Sequence, residues 1–471
     1  RHLNNFDVIS MPDVWEYPWY ASWDLAFHAV AFAGFDPTFA KANLRLLTRE
    51  WYLHPNGQLP AYEWDFGNVN PPVLAWATRR VHALDRDLNG TEDPIFLEAV
   101  FHKLLLNFTW WVNRKDTDGN NVFQGGFLGL DNISLFDRSA GVPGGGHVDQ
   151  SDGTAWMGFY TLGMLRIALE LAHRRPAYQD VATKFYEHFL SIAAAINDPA
   201  AGLWDEDDGF FYDVLHLPEG GIEPLKVRSL VGLIPLLAVE VVEQNVLAAT
   251  PDFVGRMAWY ARYRPELQRF VARDEPDRSG RLLLSLLDEG KLRSVLRYLL
   301  DPREFLSPYG IRSLSRIHAE EPYELTMECV TFRIGYEPGE ALTPILGGNS
   351  NWRGPIWVPI NYLIIEALRE YAVYYGDDFT IEFPTGSGHE ATLDEIADDL
   401  AHRVASLYRF GPDDTLPFLG PQARYPDDDR WQEPLFYEYF HAETGAGLGA
   451  SHQTGWTALV GTLLAELADR G

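Results

Sequence analysis

The sequence predicts an all-α fold, two concentric rings of helices forming an (α/α)6 toroid or barrel, with one short β-hairpin excursion. Three observations carry this reading. Apolar residues recur at i, i+3, i+4 spacing through most of the chain; some of these segments have one wet face while others are apolar almost all round; and no internal repeat of fixed period is present. Helices of the second kind must be covered on two sides, and alternating the two kinds suggests an inner and an outer ring. A stacked helical solenoid produces a related pattern, but the missing period argues against it.

In chain order, helices are expected near 21–34, 37–53, 71–88, 93–114, 152–174, 177–196, 227–243, 251–263, 280–300, 355–375 and 391–409, separated by Pro, Gly and Asx clusters. The stretch 94–112 is apolar almost all round and should be buried on two sides; 391–410 carries one wet face. Residues 209–229, "GFFYDVLHLPEGGIEPLKVRS", read as two short strands around a Gly-Gly turn. The last helix follows Thr454 and Gly455 and places Trp456, Leu459, Val460, Leu463, Leu464 and Leu467 on one stripe. No Pro- or Ser-rich linker divides the chain, so residues 1–471 are expected to form a single domain.

Composition narrows the function classes. Sixty-seven acidic against 38 basic residues leave a net charge of −29, which repels phosphate backbones and anionic membranes, so neither nucleic acid nor a membrane is expected as a partner. No uninterrupted apolar run approaches the ~18 residues of a membrane span. Acid clusters such as "DEDD" at 205–208 and "DDD" at 427–429 read as solvated loops. The single cysteine, Cys329, excludes an internal disulfide framework, fits a reducing compartment and is expected in the core; a cytoplasmic location is expected. The N-terminus "RHLNNFDVIS" has neither an initiator Met nor the pattern of a signal peptide, which suits a trimmed part of a longer chain. The 15 Trp and 22 Tyr exceed what a core requires, and sugar sites use such flat faces with polar rims.

No nucleotide-binding loop of the form GxxxxGK[ST] occurs, HExxH is absent, and the 14 His are scattered in sequence, so a catalytic zinc has no candidate ligand set. Chemistry should come from carboxylates. Asp131 stands alone in "VFQGGFLGLDNISLFDRS" (122–139) among apolar neighbours, where an acid is either satisfied by a cap or kept protonated for work. In "WEYPWYASWDLAFH" (15–28), Trp19 and Trp23 either pack in the core with Asp24 as a cap, or Trp23 lies under a pyranose with Asp24 on its hydroxyls. "DTDGN" spaces Asp116, Asp118 and Asn120 either for a tight Asx turn or for calcium; Phe127 at the twelfth position excludes an EF-hand. "NWRGPIWVPINY" offers Trp352, Arg353 and Trp357 at a helix entrance, as a ligand rim or as core aromatics with one ion pair. Glu438 sits among Phe436, Tyr437, Tyr439 and Phe440, ahead of a Gly-rich loop containing Gln453.

Taken in order, "WYASWDLAFH", "DTDGNNVFQGGFLGLDNIS", "NWRGPIWVPINY" and "YEYFHAETGAGLGASHQTGWTALV" resemble the inverting (α/α)6-barrel glycosidases: glycoside hydrolase family 63, its mannosylglycerate and glucosylglycerate hydrolase relatives, and more distantly trehalases. The resemblance runs from about residue 13 to the C-terminal helix. It implies that Asp131 is the general acid and Glu438 the general base, that Trp23 and Asp24 meet the terminal sugar, and that Gln58, Trp352, Arg353, Trp357 and Gln453 line the same pocket. It implies no required cofactor, and a structural calcium at the DxDGN loop in some relatives. Asn351 stands where Tyr often precedes Trp-Arg-Gly-Pro, and Ile133 and Ser134 replace the commoner Ser-Pro, so subsite contacts are expected to differ.

The expected activity is exo-acting hydrolysis of a short α-glucoside or gluco-oligosaccharide with inversion. A mannosylglycerate or glucosylglycerate hydrolase is the alternative within this class; a non-catalytic sugar-binding barrel and a sugar isomerase or epimerase are those outside it. Inversion needs the two carboxyl groups roughly 6.5–9.5 Å apart, room for a water between base and sugar. The base is assigned to Glu438 over nearby Glu443 for its aromatic setting and its place in the resemblance.

Overall fold

Short polar caps set where helices begin. Asp36, Asp93, Asp288 and Thr392 each accept a hydrogen bond from the backbone N–H three residues on, satisfying a donor that the first helical turn leaves open. A computed structural model describes residues 7–13, 18–124, 130, 132–137, 142–273, 279–342, 350–411, 415–420, 435–451 and 455–470. Within them run α1 (Ser22–Ala33), α2 (Pro37–Leu47), α3 (Leu74–Asn89), α4 (Pro94–Arg114), α5 (Ser151–Ala172), α6 (Tyr178–Ile196), α7 (Gln244–Ala249), α8 (Pro251–Tyr263), α9 (Glu289–Leu299), α10 (Val358–Tyr375), α11 (Leu393–Ser406) and α12 (Leu459–Arg470). The chain is mostly helical.

The helix contacts close a circuit. α1 packs on α3, α3 on α5, α5 on the strand Val239–Val242, that strand on α10, α10 on α12, and α12 back on α1. Around it, α2 rests on α1 and α3, α4 on α3 and α5, α6 on α5, and α11 on α10 and α12. Burial follows the two positions: nineteen of the 22 residues of α5 and ten of the 12 of α1 are buried, whereas α11 buries one stripe, Leu393, Ile396, Ala397, Leu400, Ala401, Val404 and Ala405.

Several expectations need correction. α4 is not covered on two sides: Phe96, Leu97, Val100, Phe101, Leu104, Phe108 and Trp111 face inward, while Ile95 and Leu106 are exposed. By length and hydropathy α4 also reaches membrane-span dimensions, with half of its apolar window buried against the neighbouring helices. The helix expected over 227–243 is instead two short 3-10 turns and the strand Val239–Val242, because Gly232 and Pro235 break the pattern and "VEVV" pairs with Leu282–Ser285. That pairing also removes the first part of the helix expected over 280–300.

Strands exceed the single hairpin: seven small sheets lie among the described residues. The expected strands Asp213–His216 and Ile222–Leu225 are present about Gly220 and Gly221, both with positive φ, and His147–Asp149 adds a third. Cys329 is not in the core; it is exposed, in the turn of the hairpin Tyr323–Met327/Val330–Ile334. Two of the 14 histidines, scattered in sequence, meet in space: strand register sets His147 opposite His216 with Asp149 two residues on.

Candidate active site

Glu438 precedes the two-residue strand Tyr439–Phe440, which pairs with Gly447–Leu448 and, through single bridges, with Ile356 and beyond it Arg312. The backbones of Phe440 and Ile356 exchange hydrogen bonds of 2.8 and 3.0 Å, so the segment after the Trp-Arg-Gly-Pro turn is stitched beside Glu438. The Glu438 side chain is 4% exposed. The Ser350 hydroxyl donates to Oε1 at 2.5 Å and the Ala450 N–H to Oε2 at 3.1 Å. Both donors suit an ionised carboxylate, which only accepts.

Gly449 is required by this arrangement. Its φ is +67°, and a Cβ there would meet Glu438 Oε2 at 2.5 Å and the Tyr439 ring at 2.7 Å. The loop that follows the acid therefore approaches it closely because it lacks side-chain bulk.

Behind Glu438 stands an aromatic block. Trp352 and Trp357 stack face to face at 3.7 Å with planes 3° apart, Trp357 stacks on Tyr439, and Trp456 meets both Trp23 and Trp357 edge-on at 5.5 Å. Trp456 Nε1 donates to the Glu438 carbonyl at 3.0 Å. Trp23, Trp352 and Trp357 are buried, so their ring faces serve mainly to pack against each other. These rings bring the N-terminal ends of α1 and α10 and the turn Gly455–Ala458 to one place.

The acid-bearing segment is fastened to the same block. Asp131 and Gln453 lie outside the described residues, but Leu130 and Asn132 beside Asp131 are buried. Asn132 Oδ1 accepts from the Trp352 N–H at 2.6 Å, Asn132 Nδ2 donates to Asn351 Oδ1 at 3.0 Å, and the Asn132 carbonyl accepts from Arg353 Nε at 2.8 Å. Arg353, 3% exposed, also reaches the Ser134 carbonyl and lies 3.9 Å from Glu337, so its guanidinium works as a clamp on 132–134. Asn351 is fully buried, donating to the carbonyls of Glu337 and Gly339; its amide faces the protein.

The other expected residues fall as follows. Asp24 is buried in the first turn of α1, next to Trp23. Gln58 is buried, with Nε2 donating to the Phe66 carbonyl at 2.8 Å, which ties its own loop together. Asp116 accepts from the N–H groups of Asn120 and Asn121, and Asn120 from that of Val122, so the DxDGN stretch closes as an Asx turn, while Asp118 is exposed. Glu443 is bound elsewhere: buried Arg312 grips both of its oxygens at 3.0 and 3.2 Å and the Tyr336 hydroxyl donates at 2.6 Å. Burial pushes the Glu443 carboxyl up, but Tyr336 and Arg312 outweigh it and hold it below the ordinary glutamate range.

Sequence reasoning passed over Ser350, Asn132, Gly449 and the Arg312–Glu443–Tyr336 cluster. Asn132 and Gly449 stand inside motifs already quoted; Ser350, just ahead of "NWRGPIWVPINY", carried no signal.

The sequence profile of the mannosylglycerate hydrolase MGH1-like glycoside hydrolase domain matches residues 17–137 and 280–457. The chain belongs to this family. The MGH1-like match contains Asp131 and Glu438 as well as Trp23, Asp24, Gln58, Trp352, Arg353, Trp357 and Gln453. Its fold is similar to that of a GH63 mannosylglycerate hydrolase from Thermus thermophilus in complex with glucose, with a TM-score of 0.53 over 97% of this chain and 95% of that one at 17% identity. An uncharacterized protein of Saccharomyces cerevisiae is 48% identical over 488 residues, covering 99% of this chain and 45% of that protein. A probable mannosyl-oligosaccharide glucosidase of Schizosaccharomyces pombe is 28% identical over 187 residues, 39% of this chain and 17% of that protein. The chain thus spans less than half the length of these relatives.

Proposed function

We propose that this MGH1-like domain is an exo-acting α-glycosidase that inverts configuration, with Asp131 as general acid and Glu438 as general base, on an (α/α)6 barrel. The observation that carries the reading is Glu438: a buried carboxylate held by Ser350 and the Ala450 N–H, beside an aromatic block to which residues 132–134 are clamped. The closed circuit of helix contacts, with thoroughly buried α1 and α5 inside it, supports the barrel. A general base must be ionised and fixed in direction; a general acid must hold its proton near neutral pH, which apolar neighbours such as Leu130 favour.

Asp131 gives its proton to the glycosidic oxygen as the bond to the anomeric carbon breaks. Glu438 takes a proton from water attacking the opposite face, so the two carboxyl groups should stand roughly 6.5–9.5 Å apart. The substrate favoured is a short α-glucoside, in keeping with the relative described as a mannosyl-oligosaccharide glucosidase. A second reading, cleavage of mannosylglycerate or glucosylglycerate, draws on the family's own description.

The test is incubation with kojibiose, nigerose, trehalose, glucosylglycerate and mannosylglycerate, following the released anomer by proton NMR, with Asp131→Asn alongside. Early β-sugar from an α-linked substrate, absent in the variant, is the expected result. Early α-sugar, or equal release by the variant, overturns the mechanism.

A further inference from the structure

The strands His147–Asp149 and Asp213–His216 pair antiparallel with His147 opposite His216 and Asp149 opposite Val214. Residues i and i+2 of a strand share a face, and so do directly opposed residues. His147, Asp149 and His216 therefore project together, and the imidazoles lie parallel, 4.4 Å between centroids and 6° between planes. His216 Nε2 is 2.9 Å from one carboxylate oxygen of Asp149 and His147 Nε2 is 3.6 Å from the other. One ligand atom from each residue lies within 4.8 Å of the others, the one such group among the described residues.

We propose that these three side chains form a binding site for a divalent transition-metal ion of the zinc class, separate from the acid–base pair. Ligands about 2.0–2.1 Å from a tetrahedral zinc stand about 3.3 Å apart; His216 Nε2 is hydrogen-bonded to Asp149 Oδ2 at 2.9 Å and His147 Nε2 lies 3.6 Å from Asp149 Oδ1, so a zinc ion that displaces the proton of that bond needs only small side-chain rotations to reach all three residues. Two imidazole nitrogens and one carboxylate oxygen suit zinc, cobalt or nickel, not calcium or magnesium, which take oxygen shells.

The surroundings fit a site as well. Asp149 is 5% exposed and its Oδ1 accepts from Gln124 Nε2 at 3.2 Å, the outer contact that orients a ligating carboxylate. The imidazoles are partly exposed, which lets an ion enter and leaves coordination positions for water. The close strand approach depends on Gly146, where a Cβ would collide with the His216 carbonyl oxygen.

Placement gives the ion a structural role. Asp149 is two residues ahead of α5, and the Ser151 N–H at its start donates to Asp213 of the paired strand. Gln124 belongs to the segment that leads to Asp131. Both strands lie between the two stretches that the family profile matches, so the family match gives them no role. A bound ion would brace the start of α5 against the segment that ends at Gln124.

The experiment is calorimetric titration of the full chain with ZnCl2 in chelator-free buffer, with CaCl2 as the control, and with CoCl2 followed by visible absorption. One zinc equivalent, no calcium uptake and an intense tetrahedral cobalt band are expected; His147→Ala, Asp149→Asn and His216→Ala should each weaken zinc at least about tenfold and abolish the band. His147, the most exposed of the three, keeps the test sound should either other variant misfold. Absence of zinc uptake by the natural chain, or His147→Ala binding zinc and giving the cobalt band unchanged, overturns the proposal.

Discussion

Asn132 holds Trp352 across 220 residues of sequence: its side-chain oxygen accepts from the Trp352 N–H at 2.6 Å while its amide donates to Asn351. The residue next to the proposed acid is thereby locked to the wall next to the proposed base. Asn132→Ala removes both bonds and leaves the buried Trp352 N–H unsatisfied, while Asn351 Oδ1 keeps the Arg353 N–H, a cost of about 1–3 kcal/mol. Turnover should fall about a hundredfold through misplacement of Asp131, with a smaller change in KM. Full turnover by a folded Asn132→Ala protein would show that the clamp is only structural.

The two glutamates of the loop separate cleanly. Glu438→Gln should abolish turnover while the protein stays folded, because the isosteric amide still occupies the place between Ser350 and Ala450. Glu443→Gln should keep turnover within a few-fold and lower Tm, since Arg312 loses its ionic partner. Glu443 has a depressed carboxyl in the folded state, so its contribution is complete above the unfolded value of about 4.3 and is lost as pH falls through the lower folded value. Urea unfolding at pH 7 and pH 4 of the natural chain and Glu443→Gln checks this: the gap between them should narrow on acidification.

Gly449→Ala places a methyl group against Glu438 Oε2 and Tyr439 at a positive-φ position. The carboxylate must move to admit it. A kcat loss of about a hundredfold or more is expected, with circular dichroism unchanged. Retention of normal kcat would mean that the direction of Glu438 is not critical.

His28 makes an acid-stability prediction. Burial on α1 pushes its imidazole down to about 3, and Nδ1 lies 2.9 Å from the Ser10 hydroxyl. The unfolded chain binds a proton near the ordinary value of about 6.5 while the folded chain does not, so stability falls as pH drops from there toward the folded value, by at most about 1.4 kcal/mol per pH unit. Denaturant titrations of the natural chain and His28→Gln at pH 7.5 and 5 should show a steeper decline in the former. Parallel declines in the two would assign the acid sensitivity to other groups.

Local pattern was enough for most helices and for the ends that present the site. Of the stripe Trp456, Leu459, Val460, Leu463, Leu464 and Leu467, all but the half-buried Leu464 are buried, as the spacing requires. Asp131 and Glu438 stood out because acids among apolar and aromatic neighbours are costly unless they are satisfied or used, and their roles as acid and base came from the resemblance of the four motifs. Residues 227–243 and 280–300 were misread because an apolar run has the same composition whether it covers a helix face or a buried strand; the pairing of Val239–Val242 with Leu282–Ser285 decides, and that partner is about forty residues away.

By itself, then, the sequence determined helical periodicity, the Gly-Gly turn and the chemical types at the candidate site, all properties of residues a few positions apart. Only the tertiary structure decided that Arg353 clamps 132–134, that Arg312 claims Glu443, and that His147, Asp149 and His216 share one face. Those outcomes depend on hydrogen bonds and charge pairs between segments distant in sequence, and such contacts exist only once the backbone has brought their partners within about 3 Å.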